Sequence, residues 1–453
     1  MKIFIIVLKF CLCLLLVSIS VNCNSVPDDD YISPTIISGQ VKNPENQPLA
    51  NAKVTIPTAP EYDGAFTNDL GLYCLENFQP GKHRIKVELY GYEIYEADVP
   101  NPINCIATIN PVLKRKTYSV PPIKPLSKGP VRINGKKLEV DFDGDGFFEQ
   151  YFVKGAAYSI MPIGNKPITS KLEDRSIQYL KNMSANTIRT YGGASKPMLQ
   201  KMAANNIRVI VGFWVNTDYD LSKSTIRQKV KDDFMKMVID LKDSPGVLMW
   251  NLGNEQNYQN GNNSYWYSLI QELAILAYNI EGEKYHPVCG SNGKFYNIGS
   301  PSMSADDASL TYMDLWASNI YEFDFSGSFA SYRTKTKKTV VLTEWGIDAL
   351  DNRAKIEYED VQATHDSLNW TQILKASDIC VGGTVFEFTD EWWKDKDPYS
   401  HDYGGYATSA HPDGYSNEEW WGVIAVTPDT NGDGLDEWRA RKVYYTLQKL
   451  WGK

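Results

Sequence analysis

The sequence predicts an α/β fold class, a (β/α)8 TIM barrel preceded by a small all-β sandwich domain. Three observations carry this expectation. From residue 131 to 453, short apolar runs alternate with helix-periodic stretches, and eight such units fit a closed parallel barrel. Residues 35–113 instead hold short alternating runs separated by Gly and Pro turns, the pattern of a small β-sandwich. Between them, KRKTYSVPPIKPLSKGP at residues 114–130 is Pro-rich and basic and reads as a semi-rigid linker.

The elements follow in chain order. Residues 1–23, MKIFIIVLKFCLCLLLVSISVNC, place Lys2 and Lys9 before and within an apolar stretch that ends in the small residues Ser18 and Ser20. This is the layout of a signal peptide, so the protein is expected to be secreted or extracellular. A lipid anchor at Cys23 ranks below soluble secretion, because Asn22 stands where such sites want a small residue. No later segment is long and apolar enough for a membrane span. The sandwich strands are TIISGQVKN, ANAKVTIP, GLYCLENF, KHRIKVEL and CIATINPVL. Barrel strands are expected at 151–158, 187–191, 207–215, 246–252, 287–291, 315–321, 339–345 and 382–388, with helices such as SKSTIRQKVKDDFMKMVIDLKD and SYWYSLIQELAILAYNIEG between them. A doubly wound sheet is the rival, but no Gly-rich dinucleotide fingerprint follows the first strand.

Composition narrows the function. A formal charge of −9 with scattered Lys and Arg argues against nucleic acid, which needs a basic face. The 12 Trp and 28 Tyr, with Trp345, Trp392, Trp393, Trp420 and Trp421 late in the chain, are a hint of carbohydrate stacking beyond core packing. Of seven cysteines, Cys74 with Cys105 and Cys289 with Cys380 are the candidate bridges, buried thiols being the alternative. Sequons stand at Asn182, Asn262 and Asn369. The five His fall in no zinc or Ser/Cys triad context, so no metal and no cofactor are expected. DFDGDGFFE at 141–149 and DTNGDGLDE at 429–437 imitate calcium loops but lack Glu at position twelve, and are read as tight turns.

Catalytic groups of a barrel sit at the carboxyl ends of its strands. Arg189, Asn254, Glu255, Tyr321, Glu344 and Trp392 occupy such exits. Glu255 and Glu344 leave the fourth and seventh strands, on opposite sides of the mouth, each in apolar and amide surroundings that tune a carboxyl pKa. Two facing carboxyls are what glycosidic cleavage needs, one protonated and one ionised.

The set NTIRTYGG, VLMWNLGNEQN, ASNIYEFD, VLTEWGIDA and GGTVFEFTDEWWK resembles the clan A glycoside hydrolases, and most the family 2 barrel, over nearly all of residues 131–453. The resemblance implies Glu255 as acid/base and Glu344 as nucleophile. It further implies Asn254 on the sugar 2-hydroxyl, Arg189 and Tyr321 holding the nucleophile ionised, and Trp392 as a platform under a ring, a place that Trp393, Glu387 or Phe388 could take instead. The implied partner is a β-linked glycan, and the implied mechanism is retention, with carboxyls about 5–5.5 Å apart. Within residues 35–113, SGQVKNPENQPLANAKVTI followed by TNDLGLYCLENFQPGKHRIKVELYGYE similarly resembles carboxypeptidase regulatory-like domains, which implies an accessory role. No sugar-binding or immunoglobulin-like domain precedes the barrel in this sequence. The short hairpin before it is also similar to fungal glucan transglycosylases, so water and a second sugar both stand as acceptors. A catalytically silent carbohydrate-binding protein is the reading from another class.

Overall fold

The structure, a computed structural model, describes residues 34–452 apart from 61, 80, 90, 101, 103, 104, 117–119, 259–262, 395 and 396. The expected signal peptide, Cys23 and the sequon at Asn262 lie outside the described residues. The chain divides into two compact units, Met1–Ser119 and Val120–Lys453.

In the first unit, Leu72–Glu76, Ile36–Gln40 and Ile106–Thr108 form one sheet in that order. Ala65–Phe66, Lys53–Thr55, Arg84–Glu88 and Tyr95–Asp98 form the other. Alternation explains the core, since Ile85 and Val87 are buried while Arg84, Lys86 and Glu88 between and beside them reach solvent. With Ile37, Val54, Leu75 and Ala107 they fill the space between the sheets. Gly39 is required by close approach, because a Cβ there would stand 1.6 Å from the Ile109 carbonyl oxygen. The expected Cys74–Cys105 bridge does not form: Cys105 is disulfide-bonded, but the Cys74 thiol donates to Glu76 Oε1 at 3.5 Å.

The second unit is the barrel. Its strands are β1 Val153–Ala157, β2 Thr187–Arg189, β3 Arg208–Phe213, β4 Val247–Leu252, β5 Val288–Gly293, β6 Leu315–Asn319, β7 Val340–Glu344 and β8 Cys380–Val385. They close in chain order, with β8 pairing parallel to β1 through Val153 and Gly382. All eight expected strands form, because a strand buried on both faces is a nearly continuous apolar run that the sequence displays directly. Helices α1 Ser170–Asn182, α2 Lys196–Ala204, α3 Ser224–Leu241, α4 Asn263–Glu281, α5 Ser326–Lys335, α6 Glu359–Lys375 and α7 Lys442–Trp451 cover the outside. Thr169 and Ser195 cap α1 and α2 by accepting from the Leu172 and Met198 amides. One unit departs from the expected repeat. Between β5 and β6 the chain makes only a 3-10 turn, Pro301–Met303, as its Gly, Pro and Asp content favours.

The N-terminal mouth of the barrel is closed by a hairpin, Val131–Asn134 and Lys137–Val140. Its Val131, Leu138 and Val140 pack on Val153, Ile210, Met249, Leu315 and Val341 of the interior. Residues 120–130, expected as linker, are corrected to part of this unit. Lys124 Nζ is buried on Asp314 Oδ2 at 2.6 Å and the Tyr312 carbonyl at 2.8 Å, and Ser127 Oγ donates to the Tyr285 carbonyl at 2.6 Å. Breaking a buried pair strands the other charge. Asp314→Ala is therefore expected to cost about 3 kcal/mol, read as a lower denaturant midpoint at unchanged slope.

The second cysteine pairing also fails. Cys289 belongs to the interior cluster of the barrel and Cys380 to the cluster under the helices, so the two buried thiols lie on opposite faces of the sheet. Of the sequons, Asn182 is exposed, whereas Asn369 is fully buried and donates to the Glu322 carbonyl, which closes it to modification. Both calcium-like sequences form turns. Asp141 accepts from the Gly144 and Gly146 amides, and Asp429 from those of Gly432 and Gly434. The carboxylates of Asp141, Asp143 and Asp145 lie within 4.8 Å of one another.

Candidate active site

The C-terminal mouth of the barrel opens into a cavity of about 990 Å³, and both Glu255 and Glu344 line it. Glu344 reaches the cavity through a register irregularity. Ser318 of β6 pairs with Leu342 and Asn319 with Glu344, so Thr343 is one extra residue on β7. Such a bulge re-aims side chains. Thr343 stays in the interior network while Glu344, 5% exposed, turns to the mouth.

Three donors hold the Glu344 carboxylate. Arg189 Nη1 donates to Oε1 at 2.6 Å and Tyr191 Oη to the same oxygen at 2.8 Å, while Tyr321 Oη donates to Oε2. Arg189 is fully buried at the exit of β2 and its guanidinium lies 3.7 Å over the Tyr191 ring. Burial, reinforced by the Glu344 charge, raises the pKa of both Tyr191 and Tyr321 well above the ordinary phenol value. Both phenols therefore remain donors to the Glu344 carboxyl. Phe386 and Trp421 pack against Tyr321 and fix its ring.

Glu255 has the opposite environment. Its pKa is raised to about 7, first by burial and second by the Glu344 charge, with one Asn319 hydrogen bond working the other way. Among the described residues no ion pair reaches its carboxylate; Asn319 Nδ2 donates to Oε1 at 2.9 Å. The residue is held at φ +58°, the left-handed region. For a non-Gly residue this conformation costs on the order of 1 kcal/mol. The Glu255 amide donates to the Ser291 carbonyl at 2.9 Å, which secures it.

A chain of hydrogen bonds inside the barrel sets the Asn319 amide. Ser291 Oγ donates to Asn251 Oδ1 and also meets Thr343 Oγ1 at 3.0 Å, and Thr343 Oγ1 donates to Asn319 Oδ1 at 2.8 Å. With its oxygen engaged, Asn319 presents Nδ2 to both Glu255 and Asn254 Oδ1. Asn254 Oδ1 also accepts from Arg189 Nη2 at 2.8 Å. Arg189, Asn254 and Asn319 thus link the two carboxyls, and Asn254 also lines the cavity.

The structure brings Arg189, Asn254, Glu255, Tyr321 and Glu344 together, and Trp393, 40% exposed, lines the cavity as well. Trp392 is the correction. Its indole donates to the Val426 carbonyl and stacks on His401, which in turn stacks on Trp420 at 3.6 Å, so it lies within the packing of the wall. The two tryptophans sit in a turn closed by the Lys394 amide on the Glu391 carbonyl, and of the two only Trp393 lines the cavity. Accordingly, Trp393→Ala is expected to raise KM about tenfold with an unchanged unfolding midpoint, and Trp392→Ala to lower that midpoint. The insertion of residues 397–421 contributes Tyr406, Glu418 and Trp421 to the cavity, so it walls the cleft. Tyr191 and Asn319 were not singled out from the sequence, though each stands two residues from a residue that was.

Residues 36–114 match the family model of the carboxypeptidase regulatory-like domain. No curated protein matches the chain. Among solved structures, a GH2 β-galacturonidase from Eisenbergiella tayi bound to galacturonate is similar at TM-score 0.52 and 14% identity, over 89% of this chain and 66% of that one. A β-glucuronidase from Ruminococcus gnavus in complex with uronic deoxynojirimycin gives TM-score 0.51 and 15% identity, over 88% of this chain and 62% of that one. The chain thus spans under two thirds of the length of each. The likeness is one of fold: an eight-stranded barrel like those of the GH2 enzymes, with a small β domain at its N-terminal side in sequence.

Proposed function

We propose that the protein is a secreted retaining β-glycoside hydrolase acting on an oligosaccharide or polysaccharide, with Glu344 as nucleophile and Glu255 as acid/base. One observation carries this reading. Two carboxyls line one sugar-sized cavity in opposite electrostatic settings, Glu344 beneath three donors and Glu255 shifted to about 7.

In the first step Glu344 attacks the anomeric carbon as the glycosidic C–O bond breaks, and Glu255 gives its proton to the departing oxygen. In the second step Glu255, now ionised, takes a proton from water, whose oxygen attacks the same carbon and releases Glu344. Asn254 bonds the sugar 2-hydroxyl, and Arg189, Tyr191 and Tyr321 hold Glu344 in orientation. Asn319 positions the Glu255 carboxyl. Secretion rests on the leader-like residues 1–23, and a disulfide at Cys105 suits an oxidising compartment. The regulatory-like module is read as an accessory unit.

The similar solved structures are uronidases, so uronides belong in the substrate test beside neutral sugars. The test is a panel of aryl β-glycosides and β-linked polysaccharides given to the full chain. Turnover of at least one, lost in Glu344→Gln, supports the reading. Binding without turnover by any of them would replace it with a silent carbohydrate-binding protein.

A further inference from the structure

Beside the two catalytic carboxyls, the cavity carries a second charged group, on the side of β8. Lys394 Nζ lies 3.3 Å from Glu391 Oε2 and 3.2 Å from Glu418 Oε2, and all three residues line the cavity. The ammonium sits 5.1 Å over the Trp393 ring and 5.3 Å over that of Phe386. Burial works against the Lys394 charge, but Glu391, Glu387 and Glu418 together raise its pKa above the ordinary lysine value. Across the cavity Lys294 is likewise paired, 3.3 Å from Glu322. Among the described residues, each lysine of the lining therefore already has a carboxylate.

That arrangement has a chemical consequence. A sugar carboxylate needs a cation whose charge is not already answered, and it would here be brought beside Glu391 and Glu418. Hydroxyl groups need the reverse, donors and acceptors side by side. An ammonium between two carboxylates offers both to a pair of neighbouring hydroxyls, with the Trp393 face available for the C–H side of the ring.

Resting on the hydrolase reading above, we infer that Glu391, Lys394 and Glu418 form a specificity wall that reads the hydroxyls of an uncharged glycosyl unit and disfavours a uronic acid. Glu418 supplies the repulsion and Lys394 the donor. Two carboxylates on one ammonium leave a surplus negative charge, and rejecting a charged analogue by like charge is a common route to specificity.

The test uses the full chain and two readouts. Aryl β-glucoside, β-galactoside, β-mannoside, β-glucuronide and β-galacturonide are compared by kcat/KM, and isofagomine is compared with uronic isofagomine by calorimetry. The best neutral glycoside is expected to exceed either uronide by about 100-fold, and isofagomine to bind at least about tenfold tighter than its uronic form. Glu418→Gln, at a side chain 45% exposed, is expected to shrink both ratios at least about fivefold with an unchanged unfolding midpoint. Faster cleavage or tighter binding of the uronic compounds would overturn this inference and leave the hydrolase reading standing. Ratios unchanged in Glu418→Gln would overturn the role of the wall. If no compound is cleaved and neither azasugar binds, both readings fall together.

Discussion

Replacing Glu344 by Ala is expected to lower kcat on aryl β-glycosides by on the order of 10⁴-fold, about 5 kcal/mol of transition-state stabilisation. On the proposed mechanism the attacking oxygen is gone, and among the described residues no other carboxylate shares its three donors, Arg189, Tyr191 and Tyr321. Glu344→Gln should lose a similar factor while keeping an acceptor for those donors. Either change leaves the Arg189 charge buried without its partner, which costs about 3 kcal/mol of stability, so circular dichroism must accompany the kinetics. The signature beyond loss is chemical rescue. Azide added to Glu344→Ala occupies the vacated space and should give a glycosyl azide of anomeric configuration opposite to the substrate. A structural role for Glu344 would yield no such product.

The second large effect belongs to Glu255. On the proposed mechanism its protonated form is the active one for the first step, and with a pKa of about 7 that form dominates below neutrality. Under kcat/KM conditions the rate should therefore fall above pH 7, approaching tenfold per pH unit. Glu255→Ala should abolish this alkaline limb. It should lower the first-step rate by about 10²–10⁴-fold for a sugar or alcohol leaving group, and far less for dinitrophenolate, which departs without a proton. Coupling supplies a further check. Because the Glu344 charge helps raise the Glu255 pKa, the carboxyl of Glu255 in Glu344→Gln should titrate lower than in the parent, as read by NMR. An unmoved titration would mean that the two groups do not sense each other.

Much of this site was legible in the sequence for a specific physical reason. The barrel strands are apolar on both faces, so runs such as VLMWNL stand out, and a polar residue at the end of such a run is conspicuous. Glu255, Glu344, Arg189, Asn254 and Tyr321 were found in that way. Tyr191 and Asn319 were not, because their importance comes from contacts with residues 153 and 64 positions away, which no local pattern records. Trp392 and Trp393 are neighbours in one turn, and Trp392 is drawn into the wall by stacking on His401, which stacks in turn on Trp420, packing that no local pattern records. Lys124 lies in a stretch that looks like linker, yet it answers the Asp314 carboxylate on the barrel. The cysteine pairings failed for the same class of reason, since which face of a sheet a thiol occupies is a tertiary fact.

Proton NMR of the anomeric signal during cleavage of an aryl β-glycoside tests the double displacement most directly. The first-formed sugar is expected to be the β-anomer, with the α-anomer growing in only at the rate of mutarotation. Initial release of the α-anomer would show a single displacement and contradict the assignment of Glu344 as nucleophile.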